Sequence, residues 1–259
     1  MVSRNTHPSE MLWKQHSPRT YPSGLIRVPR AIPGPAFLPG GYGLSGAAKD
    51  QPLPEFPANG VMVLGHDFDS EVEYKKSYER GFEDLKANST WRELTSLFLT
   101  VNLLRETCFF TNFYMGLRQG NNSQGKNPGA SDKPFVMHCE RFLCEQIRVQ
   151  RPSLIVTLGL WVPRAIAAIS PELQCWSGTK EMTIKELDAS GPLINDVTFH
   201  GVPNLRTVVV ALVHPAHRPA NVLKRRYRNS AGNEFFRNDA EVEMLQDAIA
   251  LSELRRDCN

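Results

Sequence analysis

The chain contains no CxxC pair, and its five cysteines, Cys108, Cys139, Cys144, Cys175 and Cys258, form an odd, scattered set. That pattern gives no basis for a zinc ribbon or a disulfide framework, and free thiols are the expectation. No stretch approaches the roughly 18 to 20 apolar residues that a membrane-spanning helix needs. The opening residues, Met1 to Pro8, carry no apolar core of the kind a secretory signal has. A soluble, intracellular protein, cytoplasmic in location, is expected. The charge excess is also small, +3 over 259 residues, too little by itself to announce a polyanionic partner. No internal repeat is present.

What is there divides in two. Residues 1–57 carry Pro and Gly at short intervals, as in Ile32-Pro33-Gly34-Pro35 and Leu38-Pro39-Gly40-Gly41, without sustained periodicity. They read as an N-terminal extension. Its apolar residues Trp13, Leu25, Ile26, Phe37 and Leu38 are expected to dock in part on residues 58–259, the main domain. Four short apolar runs, Val61 to Leu64, Thr107 to Thr111, Leu154 to Leu158 and Thr207 to Val213, read as buried parallel strands. Helical patterns lie between and after them, at 91–99, 135–149, 161–169 and 240–254, with Pro163 suited to a first turn. The alternation predicts an α/β protein, a three-layer α/β/α sandwich around a central four-stranded parallel sheet.

Three of the strands end in polar residues: Gly65-His66-Asp67-Phe68-Asp69, Thr111-Asn112 and His214-Pro215-Ala216. In a parallel sheet such ends converge on one cleft. Hydrolysis of an N-glycosidic bond in a nucleotide needs a carboxylate near the sugar cation and a donor near the departing base. Asp67 suits the first task and His214 the second, while the Asn112 amide suits reading of the base edge. From His214 to Arg237 there are six Lys or Arg against one acid, centred on Lys224-Arg225-Arg226-Tyr227-Arg228. Such a run is a solvated face in most proteins, but beside a site it can grip phosphates.

The order and spacing of these motifs resemble the uracil-DNA glycosylase superfamily. Gly65-His66-Asp67 is similar to its first motif, of GQDPY or GEAPG type, Thr111-Asn112 to its second, and His214-Pro215-Ala216 to its late HPS or HPA motif. Cys139-Glu140-Arg141-Phe142-Leu143 and Arg151-Pro152-Ser153-Leu154 to Gly159 are similar to the stretch between. The resemblance spans about residues 58 to 225. It implies a DNA glycosylase that flips out uracil or a C5-modified pyrimidine and leaves an abasic site, in repair or in defence against modified phage DNA. It further implies DNA as partner, a monomer, Asp67 and His214 as catalytic residues, and His66, Phe68, Asp69 and Asn112 around the base. Arg218 stands where related enzymes place a wedge residue, with Lys224, Arg225, Arg226 and Arg228 on the DNA backbone. The stacking aromatic is open among Phe68, Phe82 and Trp91.

The departures matter as well. Asp69 replaces the Tyr that rejects thymine in GQDPY members, so the pocket is expected to admit larger C5 substituents. Cys139 matches one cysteine of the iron–sulfur members, but Gly116 stands where a second is expected and the N-terminal pair is missing, so no cluster, cofactor or metal is expected. Competing structural readings are that Asp67 and Asp69 cap a helix, that Asn112 satisfies a turn, that His214 and His217 share a metal, and that Trp91 and Phe82 are core. Competing functions are a silent DNA-binding module of the same fold and a hydrolase of free nucleosides.

Overall fold

The computed structural model describes residues 6–29, 37, 55–178 and 182–256. The Pro/Gly clusters at 32–35 and 38–43, Leu38 and Cys258 lie outside the described residues. In chain order the elements are α1 (Pro8–Gln15), β1 (Leu25–Ile26), β2 (Val61–Gly65), α2 (Glu71–Arg80), α3 (Asp84–Ala87), α4 (Ser89–Thr100), β3 (Cys108–Asn112), β4 (Leu117–Arg118), α5 (Lys133–Gln150), β5 (Leu154–Leu158), α6 (Trp161–Ala167), α7 (Ile184–Ser190), β6 (Leu193–Phe199), β7 (Val202–Leu212), α8 (Arg218–Asn221), β8 (Arg226–Arg228), β9 (Glu234–Phe236) and α9 (Arg237–Arg256).

The central sheet has five strands in the order β3-β2-β5-β7-β6. The four foreseen strands are parallel. The fifth, β6, runs antiparallel to β7 at the edge, so the expectation of four strands is corrected. Its sequence concealed it. Asn195 and Asp196 interrupt the apolar residues, Asp196 takes a positive φ of 59°, and the pairing shifts register between Ile194 and Val197. A bulged edge strand has no clean period of two.

Alternation along the parallel strands sends side chains to two separate cores. Met62, Leu64, Phe109, Ile155 and Val209 face α5 and α6, packing on Cys139, Leu143, Ile147 and Ile166. Val61, Val63, Phe110, Val156 and Val210 face α4 and α9, against Leu94, Phe98, Met244 and Leu245. Helices thus cover both faces of a mixed α/β fold. Local chemistry starts the helices: the Asn88 side chain accepts from Thr90 N–H at α4, and Asp132 accepts from Phe135 N–H at α5. Pro163 sits in the first turn of α6.

The described part of residues 1–57 contributes to the first of these cores. Leu12, Trp13, Leu25 and Val28 are buried in it, and β1 pairs with β4. No separate N-terminal core exists among the described residues. α1 and α2 were missed because each buries few side chains; α2 has only Tyr74. No helix among the described residues is long and apolar enough to cross a membrane, and Cys108, Cys139, Cys144 and Cys175 are free. Leu12→Ala is expected to destabilise the whole domain by about 2–5 kcal/mol, as deletion of a buried Leu does. Chemical denaturation should show one cooperative transition at lower midpoint; an unchanged midpoint would detach α1 from the fold.

Candidate functional site

The carboxyl ends of β3, β2, β5 and β7 lie side by side and open into one cleft of about 700 Å³. Gly65, His66, Asp67, Phe68 and Asp69 follow β2, Asn112 ends β3, Gly159 follows β5 and His214 follows β7; all line the cleft. The ladder between β2 and β3 runs past its formal end, with Phe113 N–H donating to Gly65 O and Tyr114 N–H to His66 O, both at 3.0 Å. Gly65 faces Asn112 in register. A Cβ at position 65 would come within 2.3 Å of Asn112 Oδ1, so the motif's glycine is what lets the amide lie across the strand end.

Asp67 is held by four nitrogens on Oδ2: Arg118 Nε at 2.9 Å and a terminal guanidinium nitrogen at 2.8 Å, Asn127 Nδ2 at 3.0 Å and His66 Nδ1 at 3.2 Å. Its Oδ1 accepts from Asp69 N–H at 3.1 Å. Burial alone would raise its pKa, but His66, the Arg118 charge and the Asn127 amide outweigh it and hold the carboxyl well below the usual carboxylate range. Arg118 is itself fixed, since its other contacts are the Gln124 and Gly125 carbonyls, both at 2.7 Å. Asp69 takes a left-handed φ of 69° and accepts from Ser70 N–H; burial raises its pKa. Neither acid caps α2, whose N-cap is Ser70 accepting from Glu73 N–H; both instead hold the turn before it while lining the cleft.

His214 Nδ1 accepts from Ala216 N–H at 3.3 Å, which puts the ring proton on Nε2. Burial, helped by His217 and His66 and opposed by Asp67, pushes its pKa down to about 4. It is a neutral donor at pH 7. The strand end before it is pinned by Glu241, which is fully buried and accepts from Val213 N–H at 2.7 Å. Among the described residues no group of three or more His, Cys, Asp or Glu is arranged to hold a metal.

The Asn112 amide is engaged by the N-terminal segment: Nδ2 donates to Phe37 O at 3.0 Å, and the Phe37 ring packs on Trp91 and Phe110 at 5.0 and 5.2 Å between centroids. Of the aromatic residues considered for stacking, Trp91 and Phe68 line the cleft, each largely buried; Phe82 is exposed and outside it.

The basic run disperses. Arg225 is buried, within 3.1 Å of Asp188 and 3.8 Å of Glu241, and donates to Ala211 O. Its expected contact with a DNA backbone is corrected: the guanidinium is enclosed and serves the core. Arg218 is paired with Glu241 and Asn238, and Arg228 with Glu234. Lys224 and Arg226 are exposed, Arg226 lying over the Phe236 ring. None of the five lines the cleft. Sequence reasoning also missed Arg118, Asn127 and Glu241, and foresaw that Phe37 would dock but not that it would meet Asn112. A buried carboxylate demands a nearby cation, but nothing in the sequence says that this cation is Arg118.

Two outcomes follow. Arg225→Met takes from Asp188 its arginine and from the buried Glu241 one of its two, leaving Arg218, and is expected to cost about 3–5 kcal/mol, against little change for Lys224→Ala, as read by thermal melting. Arg118→Leu is expected to lower stability most at neutral pH. Because the folded-state pKa of Asp67 lies below the unfolded value of 3.8, the stability it contributes is present above 3.8 and lost as pH falls beneath it. The gap between wild type and Arg118→Leu should therefore close below that pH; a gap independent of pH would count against the ion pair. No protein-family model matches the chain, and no curated protein matches it significantly.

Proposed function

We propose that the chain is a DNA glycosylase of uracil-DNA glycosylase type, which hydrolyses the N-glycosidic bond of uracil or a C5-modified pyrimidine extruded from DNA. What supports this is the meeting of Asp67, Asn112 and His214, from three parallel strands, in one cleft. The bond breaks with positive charge on the sugar and negative charge on the base. A neutral His214 with its proton on Nε2 can donate to a base carbonyl as charge builds there, without giving up the proton. Asp67 stays ionised and supplies a fixed negative charge for the sugar cation. The Asn112 amide donates one N–H to Phe37 O, so it meets the base edge with its second N–H or once Phe37 moves aside, and Asp69, in the same cleft, can accept from a hydroxyl on a C5 substituent. Both base-excision repair and removal of modified phage bases use such chemistry.

A second reading, hydrolysis of free nucleosides, is favoured by one observation. Three of the five basic residues are tied to acids, which leaves few cations for phosphates. Abasic-site formation on oligonucleotides carrying uracil, mismatched thymine, 5-hydroxymethyluracil or 5-hydroxymethylcytosine, run beside release of base from the matching nucleosides, separates the two. Cleavage of the oligonucleotides alone is the expected result; release from nucleosides alone selects the second reading. Salt-sensitive DNA binding without cleavage of either substrate selects a silent binding module.

Removing a donor aimed at developing charge costs about 10²–10³-fold in rate, and His214→Ala and Asp67→Asn are each expected to lose at least that much. With His214 titrating near pH 4, its protonation should slow the reaction only as pH falls toward 4. An acid limb for His214 at its ordinary value of 6.5 would contradict this assignment.

A further inference from the structure

A carboxylate offers about four lone-pair sites, and the Asp67 carboxylate is surrounded by five nitrogens: Arg118 Nε and a terminal guanidinium nitrogen, Asn127 Nδ2 and His66 Nδ1 at Oδ2, and Asp69 N at Oδ1. A group so fully engaged, and held ionised so firmly, is a poor acceptor for a proton from water. His66 beside it is differently placed. Its Nδ1 lies 3.2 Å from Asp67 Oδ2, and since an ionised carboxylate can only accept, that nitrogen carries the proton. The Nε2 lone pair, on the opposite side of the ring, is then available for chemistry. The ring lines the cleft and is held between the face of Trp161, 5.8 Å away, and Tyr114, edge-on at 5.2 Å.

We propose that His66 is the general base that activates the attacking water, with Asp67 a positioning residue that fixes the tautomer and plane of the imidazole. The inference rests on the reading of the cleft as an N-glycosidic hydrolase site, on DNA or on nucleosides. In the step, Nε2 of His66 takes a proton from water as the water oxygen forms its bond to C1′ of the sugar. The C1′–N bond breaks, and its electron pair leaves on the base, whose carbonyl is hydrogen-bonded by His214. The departing base then takes up a proton, and His66 returns its own to solvent, so one water is consumed and no other reactant is needed. His66 becomes a cation during the step, and Asp67 stabilises it. The remaining charged or titratable groups around the ring are Arg118, bound to the same carboxylate oxygen, Tyr114 on the β3 side, and His214 with its neighbour His217 on the β7 side.

The test combines two readouts on the full chain. Long-range proton–nitrogen NMR of the histidine rings, with His66 assigned by His66→Gln, should show Nδ1 protonated in the wild type and this preference lost in Asp67→Ala. Single-turnover cleavage followed against pH should show a one-proton limb for the wild type, the rate rising as a general base loses its proton. His66→Gln should be about 10²–10⁴-fold slower, lack that limb and regain part of the rate with added imidazole. A wild-type His66 protonated on Nε2 overturns the proposal, as does a His66→Gln variant with unchanged rate and pH profile. In the latter case the hydrolase reading stands. A wild type that cleaves neither oligonucleotides nor nucleosides overturns both.

Discussion

The contact on which the site depends is the ion pair between Asp67 and Arg118. A carboxylate at the end of a central strand is largely cut off from water, and without a countercharge it would take up a proton instead of staying ionised. Arg118 supplies that charge through two donors, yet the guanidinium itself has to be oriented. It sits on β4, paired with β1 from the N-terminal segment, and the loop after it gives two carbonyls and Asn127 to the same cluster. The state of one buried carboxylate thus couples residues from about 25 to 127. The early part of the chain belongs to the core for this reason as much as for the burial of Leu12 and Trp13.

A parallel arrangement holds the other side of the cleft. Glu241 of α9 is buried between Arg218 and Arg225 and binds the backbone N–H just before His214. Both walls of the cleft are therefore fixed by a buried acid joined to arginine, one acting through a side-chain cluster and one through the strand backbone. Burial of ionic groups contributes little net stability. Its value here is positional, since removing either cation leaves an acid that no longer has a reason to stay where it is.

The strands and their polar ends were legible in the sequence because a parallel strand is a short apolar run and its carboxyl end is marked where the run stops. Asp67, Asn112 and His214 could be named from that pattern. Arg118 could not be, since its role exists only once β4 folds back toward β2. Arg225 was misread for the complementary reason: Lys224 to Arg228 looks like an exposed basic run until α7 and α9 bring Asp188 and Glu241 to its second member. Phe37 lies in a Pro- and Gly-rich stretch whose pattern says nothing about where a single aromatic lands. β6 was hidden by its own bulge. Except for β6, the missing information was tertiary, a partner distant in sequence, and no local propensity encodes it.

The two histidines of the cleft show how one side-chain type can be given opposite tasks. His214 accepts a backbone N–H on Nδ1 and keeps its proton on Nε2, and burial holds it neutral, so it suits stabilising negative charge. His66 lies against a carboxylate with Nδ1, which reverses the tautomer and leaves a basic nitrogen opposite. A backbone donor and a carboxylate acceptor are enough to make the difference. In the hydrolysis proposed above the two functions act together, one on the attacking water and the other on the departing base. A single imidazole cannot perform both, because the tautomer that donates from Nε2 has no lone pair there to accept a proton.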